Sequence, residues 1–226
     1  MRIWAFERPL EKSVSDIITE LSASDLGALL CSKVCHDIIS PVGAITNGLE
    51  LMDEDIDGSM RDMAMDLVRR SATQASAKLK FARIAFGAAG SAGAEIDTGD
   101  AEEVAQGYVV SEKPDLEWTI TRQLLPKNQV KLMLNLVMLA LNCVPQGGKI
   151  TVSQDKDADK PSFKLVCSGP KARVPEEAAN IAKGEFEDGK VDAHNVQPYY
   201  CWLLAKLCDI RINIVDDGDD VVLTAE

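Results

Sequence analysis

The 226 residues hold two histidines, His36 and His194, and the first stands in a run whose residue types suit phosphoryl chemistry: Cys35-His36-Asp37-Ile38-Ile39-Ser40-Pro41-Val42-Gly43-Ala44-Ile45. A neutral imidazole is a good nucleophile near neutral pH, and the N–P bond it forms is high in energy, so the group passes on readily. Asp37 can accept the proton of the other ring nitrogen and stabilise the ring as positive charge develops. Pro41 withholds a backbone donor and is expected to kink a helix there. Each residue alone has a plainer reading: an idle surface histidine, a solvated acid, a tolerated kink.

The elements that must position them come next. Leu26, Leu30, Val34, Ile38, Val42, Ile45, Leu49 and Met52 recur in steps of four and three, the period of a bundle helix. A helix over about 24–52 follows, with Ser24 as N-cap and Asp25 favourable at its positive end. At about 100° per residue, His36 is turned about 200° from Ile38 and so points away from the apolar seam. Residues 53–58 read as a turn, and a second helix covers about 59–86, with Met60, Met63, Leu67, Ser71, Leu79, Ala82 and Phe86 in series. Two long helices joined by a short turn form an antiparallel hairpin. One hairpin cannot bury both stripes; two hairpins in a four-helix bundle can, so a homodimer is expected.

Composition bounds what else the chain does. Lys and Arg total 24 against 36 Asp and Glu, a net charge of −12. Phosphates are repelled over most of such a surface, so no nucleic-acid partner is expected. The six cysteines form no Cys-x-x-Cys pair and read as buried thiols in a reducing compartment. Met1 to Pro9 carries no long apolar core, and no apolar run reaches the ~20 residues of a spanning helix, so no membrane is expected and a cytoplasmic location follows.

Residues 1–22 read as a leader, 23–88 as the helical hairpin, 89–99 (rich in Gly, Ala and Ser) as a linker, and 100–226 as a mixed domain. In that domain helices are expected near 100–109, 127–144, 176–183 and 196–209. Strands are expected near 116–121, 149–154 and 162–167, with a final hairpin of 210–215 and 220–224 around Asp217-Gly218. The fold class is α+β, with helices on one face of a mixed sheet.

The pattern His36-Asp37-x-x-Ser40-Pro41-x-x-x-Ile45 resembles the phosphoacceptor helix of two-component sensor kinases. Over Leu29 to Glu50 the likeness is closer, to the ChpT-type histidine phosphotransferases of alphaproteobacteria, and a looser likeness runs over about 24–226. That resemblance implies a dimeric hairpin followed by a degenerate, Bergerat-like kinase α/β sandwich. Leu134-Asn135-Leu136-Val137-Met138-Leu139-Ala140 resembles the kinase segment whose second Asn holds the magnesium of ATP. Leu139 stands in that place and cannot ligate a hard cation. Val166-Cys167-Ser168-Gly169 resembles the segment whose Asp grips the adenine; Cys167 stands there. The stretch from His194 to Trp202, matching the Gly-rich lid, has no glycine and includes Pro198. No cofactor of its own is expected.

The resemblance implies that His36, with Asp37, relays a phosphoryl group between receiver aspartates in a bacterial phosphorelay. The donor would be the receiver of a hybrid histidine kinase, the acceptors CtrA-like and CpdR-like response regulators, and Mg²⁺ would sit in the receiver. Ser32, Lys33, Ser40 and Gly43, read as exposed near His36, and Arg69 and Arg70 of the basic second helix are the expected partner contacts. Tyr199, Tyr200 and Trp202 read as core. An active kinase fragment, a receiver phosphatase and a non-catalytic dimeric scaffold remain open.

Overall fold

A computed structural model describes residues 21–54, 58–87, 94–155, 162–186 and 191–226. The leader expected over 1–22 lies almost wholly outside the described residues. Its end is tied down, because the Leu21 N–H donates to the Tyr199 hydroxyl at 3.0 Å.

The first helix, α1 (Ala23–Glu54), is capped by Ser22 and not by Ser24. The Ser22 Oγ accepts the Asp25 N–H at 3.1 Å and donates to the Asp25 carboxylate at 2.7 Å. That satisfies one of the unpaired N–H groups of the first turn. The chain stays helical through Pro41, which is buried; the missing N–H leaves the Asp37 carbonyl without an i+4 donor. The second helix, α2 (Arg61–Ala85), returns antiparallel. Gly48 sets the approach of the two: a Cβ there would meet Val68 Cγ2 at 2.7 Å and the Ala64 carbonyl oxygen at 3.1 Å. That contact explains a glycine at a mid-helix position where it costs about 1 kcal/mol against alanine. By length and composition α1 also passes for a membrane span, with a mean hydropathy of 1.3, which the sequence reading did not foresee. Here it lies along α2, with Leu26 and Leu30 packed on the core of the sheet domain, and Lys33, His36 and Asp37 sit near its middle.

Beyond the hairpin come β1 (Glu95–Asp97), α3 (Thr98–Val109), β2 (Pro114–Trp118), β3 (Leu124–Pro126), α4 (Lys127–Cys143), β4 (Gly148–Asp155), β5 (Ser162–Ser168), α5 (Glu176–Lys183), α6 (Val196–Leu207), β6 (Ile212–Asp217) and β7 (Asp220–Ala225). Five strands form one sheet in the order β2-β4-β5-β7-β6, with β2 and β4 parallel and the other neighbours antiparallel. In β5, Phe163, Leu165 and Cys167 alternate inward and are fully buried. They face α4, which is buried on nearly every side because the sheet covers one face while α2, α3 and α6 cover the other. Each of its enclosed leucines contributes about 1.5–3 kcal/mol. The fold is α+β: a helical hairpin followed by a domain of helices packed on a mixed five-stranded sheet.

Two short strands are absent from the sequence reading. β1 and β3 pair antiparallel, Glu95 with Pro126 through Asp97 with Leu124; three residues each are too few to show a period. The expected linker 89–99 therefore ends early, since Glu95 onward is strand and Thr98 already lies in α3. Asp97 caps that helix by accepting the Gly99 N–H at 2.8 Å. Arg122 also binds this carboxylate, and the backbone bond followed by Arg122 holds it below the usual aspartate range.

Candidate functional site

His36 projects from the middle of α1 with its side chain 74% exposed, on the side away from the half-buried Ile38. Its Nδ1 lies 3.4 Å from Asp37 Oδ1. In the tautomer with Nδ1–H turned to Asp37, the lone pair of Nε2 faces outward, free to attack a phosphorus atom. Asp37 is gripped from the other side: Lys33 Nζ donates to both of its carboxylate oxygens, at 2.5 and 2.6 Å. Lys33, read from the sequence as exposed, is instead largely covered, and it holds the carboxylate beside the imidazole. The i, i+4 spacing of Lys33 and Asp37 on a helix was the signal available in the sequence.

Ser32, Ser40 and Gly43 are exposed, and a Cβ on Gly43 would meet nothing. Arg69 and Arg70 are exposed too, and Arg70 is paired with Asp66 on its own helix. They stand opposite a lower part of α1. At the level of Asp37 the basic residue is Lys78, which pairs with Glu112 at 3.3 Å and lies over the Tyr108 ring. The Tyr108 hydroxyl is held well above the ordinary phenol range, chiefly by burial and then by the charges of Asp37 and Glu112. Cys31 and Cys35, expected to be buried thiols, are exposed on the His36 helix, whereas Cys143, Cys167 and Cys201 are buried.

The sheet domain supplies the other half of the site. The His194 ring lies 6.5 Å from the His36 ring, centroid to centroid, at 74°. His194 also borders a cleft of about 350 Å³ lined by Lys33, Tyr108, Glu112, Asn142 and Glu177, among others. Sequence reasoning missed His194 as a neighbour of His36, and Tyr108, Glu112 and Glu177 as neighbours of Lys33 in this cleft, because they arrive from α3, the turn after it, α5 and the turn before α6. Among the described residues no cluster of three or more His, Cys, Asp or Glu is arranged to hold a metal ion.

The positions that match the kinase nucleotide site have another occupation. Leu139 and Cys167 are fully buried in the core. The Cys167 thiol is pushed far up by its hydrogen bond with Cys143 and by burial, so it offers no anionic acceptor. The stretch matching the lid is wound into α6, where Tyr199 and Tyr200 are buried and Trp202 packs on Phe186 and Tyr199. Asn135, which survives from the kinase-like motif, is wholly buried; its Nδ2 donates to the Ala85 carbonyl of α2 at 3.2 Å and to Lys131 at 2.9 Å. Gln197 of α6 in turn donates to the Asn135 carbonyl at 2.7 Å. Buried, satisfied polar links of this kind fix one geometry between hairpin and sheet domain.

The family model of the histidine phosphotransferase C-terminal domain matches residues 98–220, from the start of α3 to the start of β7. The chain belongs to the histidine phosphotransferase family. The likeness reaches into the hairpin: the protein phosphotransferase ChpT of Brucella abortus (strain 2308) is 50% identical over 206 residues, 91% of this chain and 97% of that one. A solved bacterial phosphotransferase structure superposes with a TM-score of 0.84 at 47% identity, over 92% of this chain and 99% of that chain. Membership thus spans both the hairpin that carries His36 and the domain that carries His194.

Proposed function

We propose that this histidine phosphotransferase works through a phosphohistidine at His36, receiving a phosphoryl group from the aspartyl phosphate of one receiver domain and passing it to the aspartate of another. The observation that carries this reading is the exposed imidazole whose Nδ1 faces Asp37 while Nε2 is open to an incoming partner. Asp37, held by Lys33, fixes the tautomer and offsets the charge that develops on the ring. Alignment and charge stabilisation are the main work of such a transfer. The magnesium belongs to the receiver's acidic pocket.

The donor is the receiver of a hybrid histidine kinase, and the acceptors are response regulators of the CtrA and CpdR kinds, in the cell-cycle phosphorelay of the cytoplasm. Ser32, Ser40 and Gly43 form the contact face. The functional unit is a homodimer, which covers apolar residues the lone hairpin leaves exposed. ATP does not label the protein, because Leu139 and Cys167 replace the nucleotide-binding groups.

Two purified receivers, one phosphorylated, test the proposal. The intact protein moves the label from one to the other, His36→Gln abolishes the movement, and labelled ATP leaves the protein unlabelled. Unchanged relay in His36→Gln would return the protein to the scaffold reading. Self-labelling from ATP would make it a kinase, and loss of label as free phosphate with no phosphohistidine would make it a receiver phosphatase.

A further inference from the structure

His194 has no place in the relay as described, yet its ring stands 6.5 Å from that of His36 in an edge-on arrangement. At that distance a ring N–H of His194 is within reach of an oxygen of a group carried on the His36 ring. The backbone beneath His194 is built to hold it there. Asp192 Oδ1 accepts the His194 N–H at 2.8 Å and the Asn195 N–H at 3.3 Å, and Asn195 Oδ1 accepts the Asp192 N–H at 2.7 Å. Further along, Gln197 is bonded to Asn135, and Asn135 to Ala85 on the hairpin. The second imidazole is therefore tied to the helices that carry the first.

Glu112, paired with Lys78, and Glu177 line the cleft that His194 borders, with Asp192 on its own turn. An imidazole donates through a ring N–H in either charge state. A phosphoryl group carries strong acceptor oxygens, and charge-assisted bonds to them are the stronger kind.

We propose that His194 is a positioning residue for the phosphorylated state: once His36 carries a phosphoryl group, a His194 ring N–H donates a hydrogen bond to one of its oxygens. His194 makes and breaks no covalent bond. The bond draws the transfer equilibrium toward His36 and holds the phosphoryl group in one orientation at the mouth of the cleft. The proposal rests on the phosphohistidine reading above.

The test is the equilibrium partition of label between a phosphorylated receiver and this protein, measured for the wild type, His194→Ala and His194→Lys, with thermal melts to show that the variants fold. His194→Ala still takes up label at His36, but the partition moves about tenfold toward the receiver, as loss of one hydrogen bond to a charged group predicts. His194→Lys, which restores an N–H donor, recovers most of it. Equal partition in folded wild type and His194→Ala would overturn the role of His194 and leave the relay standing. A wild type that takes up no label would overturn the relay reading and this one with it.

Discussion

A carboxylate held between a lysine and an imidazole sets the chemistry of α1. Lys33 takes both oxygens of Asp37, and His36 Nδ1 approaches one of them at the longer distance of 3.4 Å. In the relay proposed above, such an acid acts by orientation and charge more than by taking a proton outright, since Lys33 already occupies it. Asp37→Asn keeps the shape but removes the charge and presents an amide that can turn its N–H₂ toward the ring. Single-turnover transfer from a phosphorylated receiver, followed by rapid quench, then slows about a hundredfold while His36 remains the labelled residue; an unchanged rate would leave Asp37 a mere anchor for Lys33. Only part of this arrangement is legible in the sequence. The outward aspect of His36 follows from helical angles alone. The coverage of Lys33 does not, because it depends on the sheet domain closing over that side of α1. His194 is 158 residues away along the chain, and no spacing rule joins it to His36.

The homodimer proposed above would close on the hairpin. Met63 is 72% exposed and Leu67 37% exposed on α2, Leu79 and Val42 are also open, and an apolar groove of about 320 Å³ runs between Leu51, Met60, Met63 and Leu67. Apolar stripes of this extent at helical spacing are those of a bundle seam. Leu67→Glu places a charge in that seam, so sedimentation gives the monomer mass with helix content retained, whereas the unaltered chain sediments as a dimer. Dimers that persist in Leu67→Glu would place the self-association surface elsewhere. The long helices were legible because their apolar period runs over many turns: α1, α2 and α4 begin and end within a few residues of the sequence reading. The strands β4, β5 and β7 and the short helix α5 were also placed to within a residue or two, but the shortest strands were not. β1 and β3 exist because they pair with each other, and Ser22 displaced Ser24 as cap because Asp25 lies three residues on and can return its bond.

Across the whole molecule, the positions that depart from the kinase-like motifs of the sequence pack inside. Leu139 and Cys167 fill the core, and Asn135 is a buried tie to Ala85. The departures were readable in the sequence. The tie made by Asn135 was not, since a residue type does not name its partner. With the domain fixed beside His36, both histidines, Asp37 and the cleft form one surface for a receiver to meet. The most direct measurement of the central claim is the chemical identity of the labelled residue after brief mixing with a phosphorylated receiver. The account predicts an acid-labile, base-stable phosphate that maps to His36. Transfer between receivers with no phosphate ever found on His36, or with the phosphate on another residue, would contradict it.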